Sequence, residues 1–474
     1  MQGLKLAAAL FAASLVNAAP SWAETTVLKN VTVIDGTGAA AMPGSAIVMT
    51  DGKISFVGPV AGLKVPSGAK VQDMSGKFVM PGIIDSHVHV GIMHDVTQDI
   101  KFYTRENVEA DLKTYAAYGV TAVQILGTDK DIIFDIRKEQ RAGRPSNARV
   151  FTSGQGEVFK GGYGGVLGLN EMVSTPEEAR KSVDIQAAKG VDFIKLWMDD
   201  ERKTIPVKMT YEVSSAIIDQ AHKHHLRAVA HVFYLDDAKE LLRQGVDGFA
   251  HMVRDQPVDK EFLDMMKAKG AWQVSATLSR ELAYSLAIMP WLQDPFFTRG
   301  VTPGTLDALR SPAREKAVVL GPTRFPGLPY EKKVFADMDR TVFQALENYQ
   351  AMVQAGVNTG MGTDSGPNGR FPGFNAHEEM QMEVMAGRTP MEAIKSATSD
   401  NAHWLGDDSI GSIAAGKWAD LMVLEKNPLD DIRNTQMIAA VYIAGKSVPT
   451  VWQTCRGRPA KACSGGAQPP VMPY

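Results

Sequence analysis

Cysteine is nearly absent from this chain of 474 residues. The two that occur, Cys455 and Cys463, both lie in a Gly/Pro-rich C-terminal tail, so the rest of the chain has no means of forming a disulfide framework. If the chain is exported, their close spacing predicts one disulfide that closes a short loop, and two free thiols are the alternative.

An excess of charge of one sign is also lacking. The 50 basic and 53 acidic residues give a net charge of -3, which gives no indication of a nucleic-acid partner. No apolar run in the chain is long enough to span a membrane as a helix. The content of 45% hydrophobic and 22% charged residues is that of a globular protein with a large core, and a homo-oligomer is left open.

The first residues have the pattern of a signal peptide. Lys5 precedes an apolar run over residues 6–16, which is too short to cross a bilayer as a helix. Ser21 and Ala23 then offer small side chains at the positions that a signal peptidase reads, so cleavage before Glu24 is predicted. We expect residues 1–23 to be removed and the protein to be periplasmic or secreted. A buried N-terminal helix is the alternative.

Short strands with turns occupy both ends of the remaining chain. At the N-terminal end, Asp51-Gly52 between two of them is a tight-hairpin signal. The later segments 420–424 and 437–446 have the same character. These patterns predict one small β-sandwich domain built from residues 24–80 and 406–455, followed by a tail over 456–474.

Residues 81–405 alternate instead between short strands and helices. The helices are predicted at 104–118, 176–189, 210–224, 235–245 and 258–269, and the strands at 82–90, 121–127, 149–155, 193–197, 227–232, 248–253, 272–278 and 358–363. Eight strands that alternate with helices predict an α/β fold, a parallel (β/α)₈ TIM barrel. An open doubly wound sheet is the alternative. The loops 154–174 and 279–337 follow strands, so they are expected to overhang the active face.

A His-x-His pair lies in the first predicted strand of the barrel, which starts at Pro81-Gly82. Side chains alternate faces along a strand, so His87 and His89 point the same way, as does Asp85. Two imidazoles on one face can hold a metal ion. The alternative is two polar residues on the solvated face of an edge strand.

Further metal-binding residue types stand at or near the ends of later strands, namely Lys195, His231, His251 and Asp364. Each alone is better explained as a core residue with a satisfied hydrogen bond or as a turn cap. In a parallel barrel, however, the carboxyl ends of the strands meet at one mouth, where catalytic residues lie. Together with His87 and His89, they predict a metal site.

Lys195 lies within the apolar run Phe193–Trp197, where a charged ammonium is costly to desolvate. One solution is a paired carboxylate. Another is deprotonation and capture of carbon dioxide, which gives a carbamate whose two oxygens can bridge two metal ions. Spacing does not choose between them.

Five stretches of the chain resemble the amidohydrolase superfamily, in the branch of imidazolonepropionase-like and Xaa-Pro dipeptidase (prolidase-like) proteins. They are residues 81–89 (PGIIDSHVH), 230–231 (AH), 250–251 (AH), 362–366 (GTDSG) and 411–420 (GSIAAGKWAD). The resemblance implies the barrel, the sandwich built from both ends and a site for two divalent metal ions, usually zinc.

The resemblance also implies which residues hold each ion. His87, His89 and Asp364 would bind the first metal ion, while His231 and His251 would bind the second. A carboxylated Lys195 would bridge them.

In such a site the metals lower the pKa of a water, and Asp364 can accept its proton and return it to the leaving group. Tyr234 is a candidate donor to the oxyanion, with packing under a loop as the alternative. Arg254 is a candidate for binding a substrate carboxylate, with a surface ion pair as the alternative, and Tyr163 is a further substrate candidate.

The leading hypothesis is an exported metal-dependent amidohydrolase of small peptides or N-acyl amino acids. A second hypothesis is hydrolysis of a cyclic amide, lactone or other ester-like small molecule. A third, from another class, is a metal-binding protein without catalysis.

Overall fold

The computed structural model describes residues 24–165, 168–200, 202–203, 205–275, 278, 290–311, 332–367 and 369–450. The predicted signal peptide lies outside the described residues. So do Cys455, Cys463 and much of the segment 279–337, and the predictions made for them stay predictions.

Strands from both ends of the chain form one mainly antiparallel sheet. Its members are β1 (Thr25–Val33), β2 (Met42–Thr50), β3 (Lys53–Pro59), β4 (Lys70–Asp73), β5 (Phe78–Pro81), β18 (Leu421–Leu424), β19 (Ile438–Ile443) and β20 (Lys446–Val448). They pair in the order β20-β19-β18-β5-β1-β2-β3, with β4 parallel to β1. The N-terminal and C-terminal parts join where β5 pairs with β18, with Met80 opposite Met422. A sandwich of two facing layers stays a prediction.

The middle of the chain has parallel strands, each aligned with a strand predicted above. They are β6 (Ile83–Val88), β9 (Val120–Ile125), β10 (Arg149–Thr152), β13 (Phe193–Met198), β14 (Arg227–Val232), β15 (Gly248–Phe249), β16 (Trp272–Val274) and β17 (Asn358–Gly360). Additional short strands are β7 (Met93–His94), β8 (Thr97–Gln98), β11 (Glu157–Phe159) and β12 (Glu171–Val173). The fold is therefore α/β with parallel strands, as predicted.

The parallel strands form two sheets rather than one continuous ladder, in the orders β10-β9-β6 and β12-β11-β13-β14-β15-β16-β17. At one side a parallel bridge between Val88 and Ser365 connects β6 to the turn after β17. At the other, Asp192 N donates to Thr152 O at 2.8 Å. The closed eight-stranded barrel of the prediction is thus not seen as an unbroken set of strand pairs.

Helices separate these strands, and the five predicted helices correspond to α1 and α3 to α6. The helices are α1 (Arg105–Ala117), α2 (Ile132–Ala142), α3 (Pro176–Ala188), α4 (Tyr211–Lys223), α5 (Leu235–Gln244), α6 (Lys260–Lys269), α7 (Pro295–Thr298), α8 (Pro303–Arg310), α9 (Lys332–Ala355), α10 (Phe374–Met385), α11 (Pro390–Lys395) and α12 (Asn401–Leu405). In the part of the chain that is described, no helix is both long and apolar enough to cross a membrane.

Local sequence explains where these helices begin and end. Thr175 caps α3 by accepting from Glu178 N at 3.2 Å, and Pro176 occupies the first helical position. Gly245 and Gly270 end α5 and α6 in left-handed conformations that favour glycine. Apolar side chains of α3 to α6 pack with strands β13 to β15 in one buried cluster, which fixes the strand ends from outside.

Candidate metal centre

Three predicted ligands meet where β6 faces the turn after β17. One ligand atom each from His87, His89 and Asp364 lies within 4.8 Å of the others, and all three residues are buried. Asp364 Oδ1 is 2.9 Å from His89 Nε2 and 3.5 Å from His87 Nε2. Two imidazoles and a carboxylate around one point form a donor set suited to a divalent ion such as zinc.

Hydrogen bonds on the far side of each ring leave these imidazoles ready to bind a metal ion. His87 Nδ1 donates to Ala250 O at 3.0 Å, so His87 Nε2 carries the free electron pair. His89 Nδ1 lies 2.6 Å from Thr128 Oγ1. Burial lowers the pKa of both histidines, which keeps the rings neutral, as metal binding requires. The residues present therefore fit a metal ion.

His231 and His251 lie beside this trio, with ring centroids 4.3 Å apart. His251 Nε2 is 3.9 Å from Asp364 Oδ2. His231 Nε2 is 2.8 Å from Asp199 Oδ2 and can donate its proton there, which leaves His231 Nδ1 as the basic nitrogen. The structure thus brings all four predicted histidines and Asp364 together.

Lys195 lies inside β13, with 1% of its surface exposed. Its Nζ is 5.0 Å from the centroid of the Trp197 ring. Two glycines make room for its stem, since a Cβ built on Gly127 or Gly156 would come 3.0 or 3.1 Å from Lys195 Cγ. The charge of Lys195 adds to the burial that lowers the pKa of His87, so Lys195 is electrostatically coupled to the histidine group.

Asp364 itself sits in a left-handed conformation, with φ of 56°, which is unfavourable for a residue with a side chain. Its N–H donates to His87 O at 2.7 Å, which ties the turn to β6. Its carboxylate also contacts the Arg370 guanidinium. The turn after β17 is therefore held in the one shape that points Asp364 at the histidines.

A pocket of about 470 Å³ opens over this group, lined by the four histidines and Asp364. Tyr163 lines it too and stands edge-on to His231, with ring centroids 5.3 Å apart. Trp197 and Arg370 complete the wall near these residues. The structure thus places one of the three predicted substrate residues in the pocket.

The other two predicted substrate residues have different surroundings. The Tyr234 hydroxyl donates to Asp200 Oδ1 at 2.6 Å. Arg254 Nη1 donates to the carbonyls of Met252 and Val232 at 2.9 and 3.2 Å. Neither residue is among those that line the pocket in the described part of the chain.

Three residues that contact this group were not singled out from the sequence, namely Thr128, Asp199 and Arg370. Asp199 directly follows β13, so an acid at a strand end was a signal that could have found it. Thr128 and Arg370 lie in loops, where no periodicity shows which way a side chain turns.

Comparison with known proteins identifies relatives over most of the chain. The sequence profile of the amidohydrolase family matches residues 78–448. Ochratoxinase from Aspergillus niger is 24% identical over 479 residues, which cover 93% of this chain and 88% of the relative. Imidazolonepropionase from Fusobacterium nucleatum is 23% identical over 416 residues, which cover 85% of this chain and 88% of the relative.

A solved structure shows the same fold. A Xaa-Pro dipeptidase with methionine bound in its active site superposes with a TM-score of 0.69 at 20% identity, covering 90% of this chain and 99% of that one. These comparisons agree with the resemblance stated from the sequence and with the branch named there.

Proposed function

Because the chain belongs to the amidohydrolase family, we propose that it uses a metal-activated water to hydrolyse amide bonds of small peptides or N-acyl amino acids. Members of this family act as hydrolases, and this chain is a hydrolase of carbon–nitrogen bonds. One observation carries the proposal for this site: His87, His89 and Asp364 converge within 4.8 Å at the base of a pocket.

The side chains have separate roles in this proposal. His87 and His89 would hold the metal ion through neutral Nε2 atoms, and a bound divalent ion supplies Lewis acidity that lowers the pKa of a water and polarises a carbonyl. Asp364 takes the proton from the attacking water and delivers it to the leaving nitrogen. His87, His89 and Asp364 are buried, and burial strengthens each of these electrostatic contacts.

A second ion is part of the proposal. His231 and His251 would bind it, and a carboxylated Lys195 would bridge the two ions. The hydrogen bond from His231 to Asp199 supports this, because it fixes the tautomer in which Nδ1 is the basic nitrogen. The burial of Lys195 beside Trp197, which lines the pocket, supports the position of the bridge.

The proposal extends to the fold around the site. We infer a closed (β/α)₈ barrel carrying a two-layered sandwich built from residues 24–80 and 406–455. The parallel bridge between Val88 and Ser365 supports closure, because it brings the first and last strands of the barrel side by side.

Turnover measurements test the proposed reaction. Protein stripped with a chelator and reloaded with zinc should hydrolyse members of a panel of dipeptides and N-acyl amino acids, and the stripped protein should not. A cyclic amide and a lactone belong in the same panel. Activity confined to those two compounds would favour the second hypothesis, and full metal loading without turnover on any compound would favour a non-catalytic role.

Export is the remaining part of the proposal, supported by the signal-peptide pattern of residues 1–23. Intact-mass analysis of the native protein should give a mature chain that begins near Glu24. Retention of residues 1–23 on a cytoplasmic species would contradict export.

A further inference from the structure

We propose that Arg370 determines substrate specificity by binding a carboxylate that lies close to the scissile bond. This inference rests on the proposed function and specifies one part of the substrate. The substrate is an amide in which the portion that leaves as the amine carries a carboxylate. The sequence offered Arg254 for that task.

Arg370 occupies the boundary between two cavities. It lines the metal pocket, and it also lines an adjoining cleft of about 840 Å³, as does Pro367. Only 3% of the Arg370 surface is exposed. Within the described residues it is the one arginine or lysine that lines the metal pocket, so it is the guanidinium available to a substrate anion there.

The guanidinium has donors to spare. A guanidinium carries five N–H bonds in a planar fork that matches a carboxylate. Arg370 Nη1 donates to Asp364 Oδ2, while Arg370 Nε is buried with no acceptor among the described residues. Asp364 is shared with His89, whose Nε2 approaches Oδ1. A buried donor left without an acceptor is costly, and a substrate carboxylate would supply one.

Arg254 offers a contrast in position, because within the described residues it is not among those that line the metal pocket. Its Nη1 donates to two backbone carbonyls, and its guanidinium stacks on Phe233 with 4.7 Å between the guanidinium carbon and the ring centroid. This arginine ties β14 to the segment after β15. It therefore serves as a matched control, a second buried arginine near the same strand ends.

The contact with Asp364 also sets where the carboxylate must lie on the substrate. Asp364 is the proposed proton carrier at the scissile nitrogen, so a group held by Arg370 is close to that nitrogen. In a dipeptide or an N-acyl amino acid, the α-carboxylate is separated from the scissile nitrogen by one carbon atom. This short separation lets the carboxylate reach Arg370 while the scissile nitrogen lies at Asp364.

The experiment compares pairs of compounds that differ in the carboxylate alone. The substrates are N-acetyl-L-leucine and N-acetyl-L-leucinol, with the phenylalanine pair beside them. The non-hydrolysable probes are N-ethyl-L-leucine and N-ethyl-L-leucinol, whose binding is followed by calorimetry. The zinc-loaded wild type should prefer the acids by roughly 10- to 100-fold in kcat/KM and in Kd, the range for a hydrogen bond to a charged group.

Arg370→Gln should abolish this preference, chiefly through KM, and Arg370→Lys should retain part of it. Arg254→Gln should retain all of it. If Arg370→Gln lost kcat/KM equally on the acid and the alcohol, the inference would be overturned and Arg370 would be a positioning residue for Asp364. A wild type that does not prefer the acids would also overturn the inference. If Arg370→Gln does not fold, the ratio of kcat/KM on the acid to that on the alcohol in Arg370→Lys tests the inference instead. Calorimetry separates the two proposals: acid binding that depends on Arg370 without amide turnover would refute the proposed function alone.

Discussion

Asp85 and Thr363 are joined by two hydrogen bonds, from Thr363 N to Asp85 Oδ1 at 3.0 Å and from Thr363 Oγ1 to Asp85 Oδ2 at 2.7 Å. Asp85 lies two residues before His87, and Thr363 directly precedes Asp364. This pair therefore clamps the two halves of the candidate metal centre together. It also offsets the unfavourable left-handed conformation of Asp364.

Replacing Asp85 with Ala should loosen this clamp. Thr363 would lose its two hydrogen bonds to Asp85, which costs about 1–3 kcal/mol of stability. It would keep the weaker contact of its N with His87 O at 3.3 Å and that of its Oγ1 with Ser365 Oγ at 2.7 Å. Metal affinity should fall about 10- to 100-fold, as for other residues that orient ligands. Metal titration and urea unfolding of the variant check both effects. Asp85→Asn retains an acceptor for Thr363 N and should lose less, whereas a fully normal Asp85→Ala would show that the clamp is dispensable.

Replacing His89 with Ala should remove most of the bound metal and nearly all hydrolysis, because affinity and geometry are lost together when a ligand is absent. Metal analysis of the purified variant gives the answer. His222→Ala is the matched control, since His222 pairs with Asp247 at the surface and should have no effect on metal content. Normal metal content and turnover in His89→Ala would place the site elsewhere.

Asp199→Asn probes the second pair of histidines. The loss of the carboxylate should weaken the orientation of His231 and lower metal affinity at its position about 10- to 100-fold. The position formed by His87, His89 and Asp364 should keep its metal affinity. In a two-step metal titration, the step that belongs to the His231 position should therefore shift to higher metal concentration, and the other step should not. Asp200→Asn alters the adjacent residue, which accepts from Tyr234, and should leave both steps unchanged.

Lys195→Arg distinguishes a carbamate from a buried ion pair. Arginine keeps the positive charge but cannot form the proposed bridge, so this variant should be as inactive as Lys195→Ala and should bind less metal. Adding bicarbonate during reconstitution should help the wild type, and a short carboxylic acid should partly rescue Lys195→Ala. Near-normal activity of Lys195→Arg with two metals bound would rule out the bridge.

The buried Glu378 in α10 leads to a prediction about how the stability of the protein depends on pH. Burial raises the pKa of Glu378 to about 8, above the usual 4.5 for this side chain. Between pH 4.5 and about 8, Glu378 is ionised in the unfolded chain but protonated in the folded protein. The free energy of unfolding therefore falls as pH rises through this range and levels off above about 8. Glu378→Gln can still accept from Asn375 and should remove this slope.

Urea unfolding of the wild type and of Glu378→Gln at pH 4.5 and pH 8, at fixed metal concentration, measures this pH dependence of stability. The variant should gain up to a few kcal/mol relative to the wild type between the two pH values. A constant difference between the two proteins would mean that Glu378 does not titrate in this window.

The sequence made the strands, helices and most of the metal-binding group predictable, for identifiable reasons. Short apolar runs alternating with helical periodicity located the parallel strands. Their shared direction then placed His87, His231 and His251 at one edge without knowledge of any side-chain contact. Lys195 was conspicuous because a cation in an apolar strand needs a special explanation.

What could not be predicted depends on the paths of loops. Tyr234 was a substrate candidate with packing under a loop as the alternative, and the structure shows that the chain turns into α5 there and that the Tyr234 hydroxyl reaches Asp200. Arg370 carries no periodic signal, and only the folded loop shows that it reaches Asp364. Gly154, just after β10, has a φ of 61°, a local bend that no periodicity in the sequence signals.

The pairing of β5 with β18 has a consequence for how the protein is made. Lys77 and Glu425, which stand 348 positions apart in the sequence, form an ion pair at 2.5 Å beside this seam. Contacts between such distant segments slow folding, because a long loop must close before they form. During synthesis β5 emerges long before its partner and keeps an open edge in the meantime. The sheet is therefore completed last, after the strands that carry the proposed ligands have emerged. A chain truncated before residue 421 would retain every proposed ligand while leaving that edge exposed to aggregation.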